Sequence, residues 1–183
     1  MKTIEERRLD VLNDAITQIR ANKIIAQPGV VVEIPFEATD RTEAKPVLEE
    51  FFKKEQAIPC DACARGTLLL CTVHKENNFL LSDFNLIRGP FKHGSVVDNR
   101  LAELFSEEQL IMMENAFEVE NCESREYFDE DDYPEDYYGI NHEYLDEDLA
   151  RECVEFGLKY SDANERLLAI FENAIANGGE FKP

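Results

Sequence analysis

The chain has 183 residues, 44% hydrophobic and 32% charged, with 39 Asp and Glu against 19 Lys and Arg and a formal net charge of −20 at pH 7. Such a chain can bury a core without staples, so its composition argues against disorder, and its negative excess argues against direct binding to nucleic acid or anionic lipid and for attraction to basic surfaces. No stretch approaches the roughly 20 apolar residues of a membrane span, the start MKTIEERRLDVL lacks a signal-peptide core, and five cysteines without a secretory signal imply reduced thiols in a cytoplasm.

In chain order, Thr3 and Glu6 form a T-x-x-E capping box. Leu9, Leu12, Ile16 and Ile19 then predict an amphipathic helix to about Asn22 with a narrow apolar stripe. Pro28-Gly29 is a turn, and the β-branched run Val30 to Ile34 predicts a short strand or extended segment at an edge. A helix is expected from about Glu43 to Ala57, with Pro46 in its first turn and Leu48, Phe51 and Phe52 buried. A short helix is expected after Asp98. Ser106 with Gln109 is a second capping box and opens another, with Leu110, Met113 and Phe117 on one face. Residues 121–144 show no clear period. Leu145, Leu149, Cys153 and Phe156 mark the next helix. Ser161 is positioned to cap a last one, which buries Leu167, Leu168, Phe171 and Ile175 and ends at Asn177-Gly178. The expected architecture is mainly α: a single compact helical domain over residues 1–183, about six helices, at most a short strand or hairpin, and an acidic irregular segment at about 121–144.

Residues 60–74, CDACARGTLLLCTVH, carry three cysteines and a histidine at C-x2-C-x7-C-x2-H spacing. Two readings compete. One is a structural zinc site using Cys60, Cys63, Cys71 and His74. On a continuous helix Cys60 and Cys71 would lie roughly 16 Å apart. One ion holds its thiolates at about 2.3 Å, so the zinc reading needs a fold-back between Cys63 and Cys71. Only Gly66 there is a turn former. The other reading is a helix from Cys60 to His74. It places Cys60, Cys63, Ala64, Thr67, Cys71 and His74 within an arc of roughly 100°, a stripe of small residues along which a neighbour can come close. Free cysteine behaves there as a small buried hydrophobe. The uninterrupted apolar run favours the helix, with no metal and no cofactor expected.

CDACARGTLLLC, LFSEEQLIMMENAFE and NERLLAIFENAIANGGEFKP together resemble an uncharacterised family of small bacterial and bacteriophage proteins, with a C-x-x-C-A-x-G helix and a C-terminal N-x-I-x-N-G-G-x-F-x-P segment. The resemblance covers about half the chain. It implies a phage or mobile-element setting and no catalytic residues.

From Glu118 to Asp148 there are fourteen Asp and Glu against Arg125 alone, and five of the six tyrosines: Tyr127, Tyr133, Tyr137, Tyr138 and Tyr144. A charge run is ordinarily a solvated surface. Tyrosines at this density also suit an interface, where they add contact area at low entropic cost. The candidate partner-binding residues are Glu126, Tyr127, Asp129, Glu130, Asp131, Asp132, Tyr133, Glu135, Asp136, Tyr137 and Tyr138. An EF-hand is excluded, because Tyr133 and Pro134 stand where its third ligand and its glycine belong. A thiol enzyme centred on Cys63 or Cys71 is the weakest alternative, since no orienting group or oxyanion hole can be named and no βαβ context is visible around the C-x-x-C. The function expected is therefore non-enzymatic: an acidic protein that binds a basic protein partner, for example a nucleic-acid-binding host or defence protein, as an inhibitor or nucleic-acid mimic.

Overall fold

A computed structural model describes residues 2–35, 43–55, 58–76, 100–119 and 145–183. The order is α1 (Ile4–Arg20), β1 (Ile24–Ala26), β2 (Val32–Glu33), α2 (Ala44–Lys53), β3 (Cys60–Ala62), α3 (Ala64–Glu76), α4 (Glu107–Phe117), α5 (Glu147–Gly157) and α6 (Ala163–Ala176). The protein is mainly α, as its periodicities predict. Among the described residues no helix is long and apolar enough to cross a membrane.

The helix ends follow local chemistry. Thr3 accepts from the Glu6 amide while the Glu6 carboxylate accepts from the Thr3 amide, so the first capping box is complete. Ser106 accepts from the Gln109 amide and starts α4. The cap of α6 is Asp162 rather than Ser161: its carboxylate accepts from the Glu165 amide, and it adds negative charge at the positive end of the helix dipole. At the other end of α6, Gly179 donates to the Ala174 carbonyl and Gly178 to the Ile175 carbonyl, a Schellman closure. It requires the left-handed φ of +71° at Gly178 and +94° at Gly179.

Three corrections to the sequence reading come from packing. Helix α1 buries a broad face: Asp14, Ala15 and Gln18 lie inside with Val11, Leu12, Ile16 and Ile19. Helix α2 stops at Lys53, short of Ala57. The third concerns residues 60–74. Cys60 to Ala62 is not helical but the central strand of a three-stranded sheet ordered β1-β3-β2. Ile24 pairs with Cys60 and Ala26 with Ala62 in parallel, and Val32 pairs with Ala62 antiparallel. The helix begins only at Ala64. Strand β1 lies at an edge, where the Ala26 amide donates to Asn164 Oδ1 of α6 at 2.8 Å. A side chain thus completes an edge hydrogen bond that would otherwise require solvent.

Helix α3 runs through the centre. Every residue from Ala64 to Val73 is buried, with α1, α2 and α4 packed around it. The core extends from Leu12, Ile24 and Leu48 through Leu68, Leu69 and Leu70 to Phe105, Phe117, Phe171 and Phe181, all essentially inaccessible. Arg166 of α6 is buried as well. Its guanidinium donates to the Phe117 carbonyl at 2.8 Å and to the Tyr160 carbonyl, so a cation meets the carbonyl-rich C-terminal end of α4.

Candidate functional site

The cysteine-bearing stretch is built from three elements. Cys60 sits inside β3, Cys63 is the residue before α3, and Cys71 and His74 lie on α3 itself. The Cys63 amide donates to the Val30 carbonyl at 2.6 Å and its thiol lies 3.8 Å from the Val31 carbonyl. These contacts lock the β1–β2 turn onto the start of α3. Gly66 makes the approach possible: a Cβ at that position would lie 1.5 Å from the Val31 oxygen. Gly66 lies beside the small-residue stripe and meets the backbone of the turn, whereas Cys71 and His74 of the stripe face Asp14 on α1.

Strand β1 runs parallel to β3 beside Cys60-x-x-Cys63, but β2 intervenes between β1 and α2, and α2 packs on α3. A thiol at a helix N-terminus is ordinarily activated. Here burial pushes the Cys63 thiol up to about 12, and the carboxylates of Glu114 and Glu118 add to the effect. Burial takes Cys60 to about 12 as well, and Cys71 well above its ordinary value. Cys60, Cys63, Cys71 and His74 do not converge on one point, and His74 is engaged elsewhere. Among the described residues no three His, Cys, Asp or Glu side chains are grouped to hold a metal ion.

His74 belongs to a cluster that sequence reasoning missed. Its Nδ1 lies 2.6 Å from Asp14 Oδ2. The other carboxylate oxygen of Asp14 accepts from Gln18 Nε2 at 3.1 Å and faces Lys75 Nζ at 3.1 Å. The Asp14 side chain is 4% exposed. Burial by itself would raise its pKa, but hydrogen bonds from His74 and Gln18 and the charges beside it outweigh that and hold the carboxyl below its usual range. The Cys71 thiol also faces Asp14, whose negative charge raises the thiol further. The edge of Phe52 from α2 closes the His74 ring at 5.0 Å. The only signal in the sequence was a carboxylate within the helical period of α1, a position polar residues often occupy at a helix surface. The cluster can hold three helices in register, and its thiol is in the protonated, unreactive form.

Among the described residues, several further cations are paired inside the chain. Arg7 pairs with Glu76, Arg20 with Glu172 and Arg65 with Glu114, each at 2.6 Å; Lys54 pairs with Glu50 at 3.1 Å and Arg8 with Glu180 at 3.6 Å. Each pair neutralises a cation locally and leaves the excess carboxylates to set the outer field. The partner-binding candidates from Glu126 to Tyr138 lie outside the described residues.

Comparison with protein-family models, with curated proteins and with solved structures returned no match for this chain.

Proposed function

We propose that this chain is a non-enzymatic, acidic interaction protein that binds a basic partner, a nucleic-acid-binding host or defence protein of the kind a phage or mobile element would inhibit, by offering negative charge where that partner expects a nucleic-acid backbone. The observation that carries the reading is the net charge of −20, on a fold in which Arg7, Arg8, Arg20, Lys54 and Arg65 are paired with its own carboxylates. A field of that size and single sign draws basic surfaces from a distance and raises the rate of encounter. The tyrosines among the acids of the segment from Glu126 to Tyr138 supply contact area once the partner has arrived.

The test is capture from bacterial lysate at low and high salt, with a chain whose segment acids are replaced by Asn and Gln as control. A basic protein held by the parent, released by salt and by duplex DNA, and not held by the control is the expected result. Equal capture by parent and control, or capture insensitive to both salt and DNA, overturns the reading.

A further inference from the structure

The last residues are held in the manner of a bound peptide. Gln109 of α4 forms a reciprocal pair with the backbone of Phe181: the Phe181 amide donates to Gln109 Oε1 at 2.6 Å, and Gln109 Nε2 donates to the Phe181 carbonyl at 3.2 Å. Asn173 of α6 does the same for the next residue. The Lys182 amide donates to Asn173 Oδ1 at 2.9 Å, and Asn173 Nδ2 donates to the Lys182 carbonyl at 2.7 Å. Asn177 Nδ2 donates to that same Asn173 oxygen at 3.3 Å and so orients it. Two side-chain amides thus satisfy both backbone groups of two successive residues, as a neighbouring strand would. Between them the Phe181 ring is fully buried and meets the Phe156 ring edge-on at 5.1 Å.

These contacts account for the C-terminal motif residue by residue. Asn173 reads the backbone, Asn177 positions Asn173, Gly178 and Gly179 make the left-handed turn, and Phe181 fills the pocket. Backbone pairing supplies affinity and one anchor pocket supplies selectivity, which is the logic of extended-peptide recognition. Nothing in the pairs depends on the tail being attached to the helix it docks against. The two glycines form the hinge at which it would part.

We propose that the cleft between Gln109 and Asn173 is a peptide-docking site for an extended segment with a phenylalanine anchor, filled in cis by this chain's own Glu180–Pro183 and able to take the same segment from a second copy. The second copy is the occupant the structure specifies, because the groups that fit the cleft are those of this tail. Exchange recreates the same contacts between chains. Two chains of charge −20 repel, so exchange is favoured by added salt, opposite in sign to capture of a basic partner. The two ideas therefore fail separately.

The experiment uses the full-length chain with Phe181→Ala and a fluorescent peptide of residues 177–183, NGGEFKP. Saturable binding is expected, roughly tenfold or more tighter than to the parent, whose tethered tail competes at an effective concentration on the order of millimolar. A peptide with its Phe replaced by Ala should not bind, nor should NGGEFKP bind the chain carrying Phe181→Ala with Gln109→Ala. A folded Phe181→Ala chain that takes up no peptide at millimolar concentration overturns the proposal. If that variant does not fold, a chain carrying a photoreactive benzophenone side chain at position 181 decides the matter. Cross-links to α4 or α6 of a second copy that increase with protein concentration and with salt support docking in trans. Cross-links confined to the same chain at every concentration overturn it.

Discussion

His74 donates from Nδ1 to Asp14 Oδ2 across 2.6 Å, and this bond ties α3 to α1 at a point where the carboxylate is 4% exposed. An ionised carboxylate only accepts, so the proton lies on Nδ1. Replacing Asp14 by Ala strands the His74 ring and the Gln18 amide against a cavity. The expected loss is about 2–3 kcal/mol, below the ~3–5 of a fully buried pair, because His74 and Lys75 still reach water. Urea denaturation of parent and variant measures it.

The same carboxylate gives an acid-side pH dependence. Its folded pKa lies below the ordinary value, so the unfolded chain binds more protons as pH falls. The stabilisation is present in full above the unfolded value of about 4 and is lost as pH drops through the folded one. Urea midpoints of the parent and of Asp14→Asn should differ in full above about pH 5 and converge as pH falls below about 4. A difference that stays constant down to pH 3 would show that the carboxylate's charge is not what matters.

The thiols predict the alkaline side. Burial pushes Cys60, Cys63 and Cys153 up to about 12 and Cys71 well above its usual value. Groups whose folded pKa is raised contribute stability that is intact below the unfolded value of about 8.5 and lost as pH climbs toward the folded one, about 1.4 kcal/mol per unit and thiol. Stability should therefore fall steeply above about pH 9. Iodoacetamide at pH 8 should leave these four cysteines unmodified in the folded chain and alkylate them once denaturant is present, as peptide mapping will show.

Gly66 and Gly29 separate steric from conformational cost. A Cβ on Gly66 would sit 1.5 Å from the Val31 backbone oxygen, whereas one on Gly29 meets nothing within 4 Å but must adopt a φ of +77°. Gly66→Ala should cost about 3 kcal/mol or more, the upper end for overpacking, because backbone and not a flexible side chain must yield. Gly29→Ala should cost only the left-handed penalty of about 1–2 kcal/mol. Thermal melts that rank the two in the opposite order would mean that the turn gives way more easily than α3.

The acidic segment should matter to association and not to folding. Replacing the acids from Glu126 to Asp136 by Asn and Gln should leave the melting temperature unchanged or raise it, by relieving self-repulsion. Association with a basic partner should slow and lose its salt dependence. Tyr137→Ala with Tyr138→Ala should instead speed dissociation, as loss of anchors does. Stopped-flow rates at several ionic strengths distinguish the two effects.

Features that depend on a few consecutive residues are legible in the chain alone. The Thr3–Glu6 box, the Ser106 cap and the Asn177-Gly178 stop act within one turn of helix, so they are written where they operate. The apolar period likewise marks which helices must bury a face. Even so, Ser161 and Asp162 both suit a cap, and only the approach of the chain into α6 chose the carboxylate. The other features depend on contacts between distant segments. Cys60 to Ala62 is apolar and small enough for helix or strand. It became a strand because Ile24–Ala26 and Val32–Glu33 offer it hydrogen bonds on both edges, from partners about 30 residues away. Asp14 lies on the polar-looking side of α1 until His74 and Lys75, 60 residues on, make burial tolerable. The C-terminal N-x-I-x-N-G-G-x-F-x-P pattern was visible as a motif but not as a device, because Gln109, which completes it, sits 72 residues earlier. Spacing along a chain records the local hydrogen bonds; pairings across the fold exist only once hydrophobic burial has brought distant segments together.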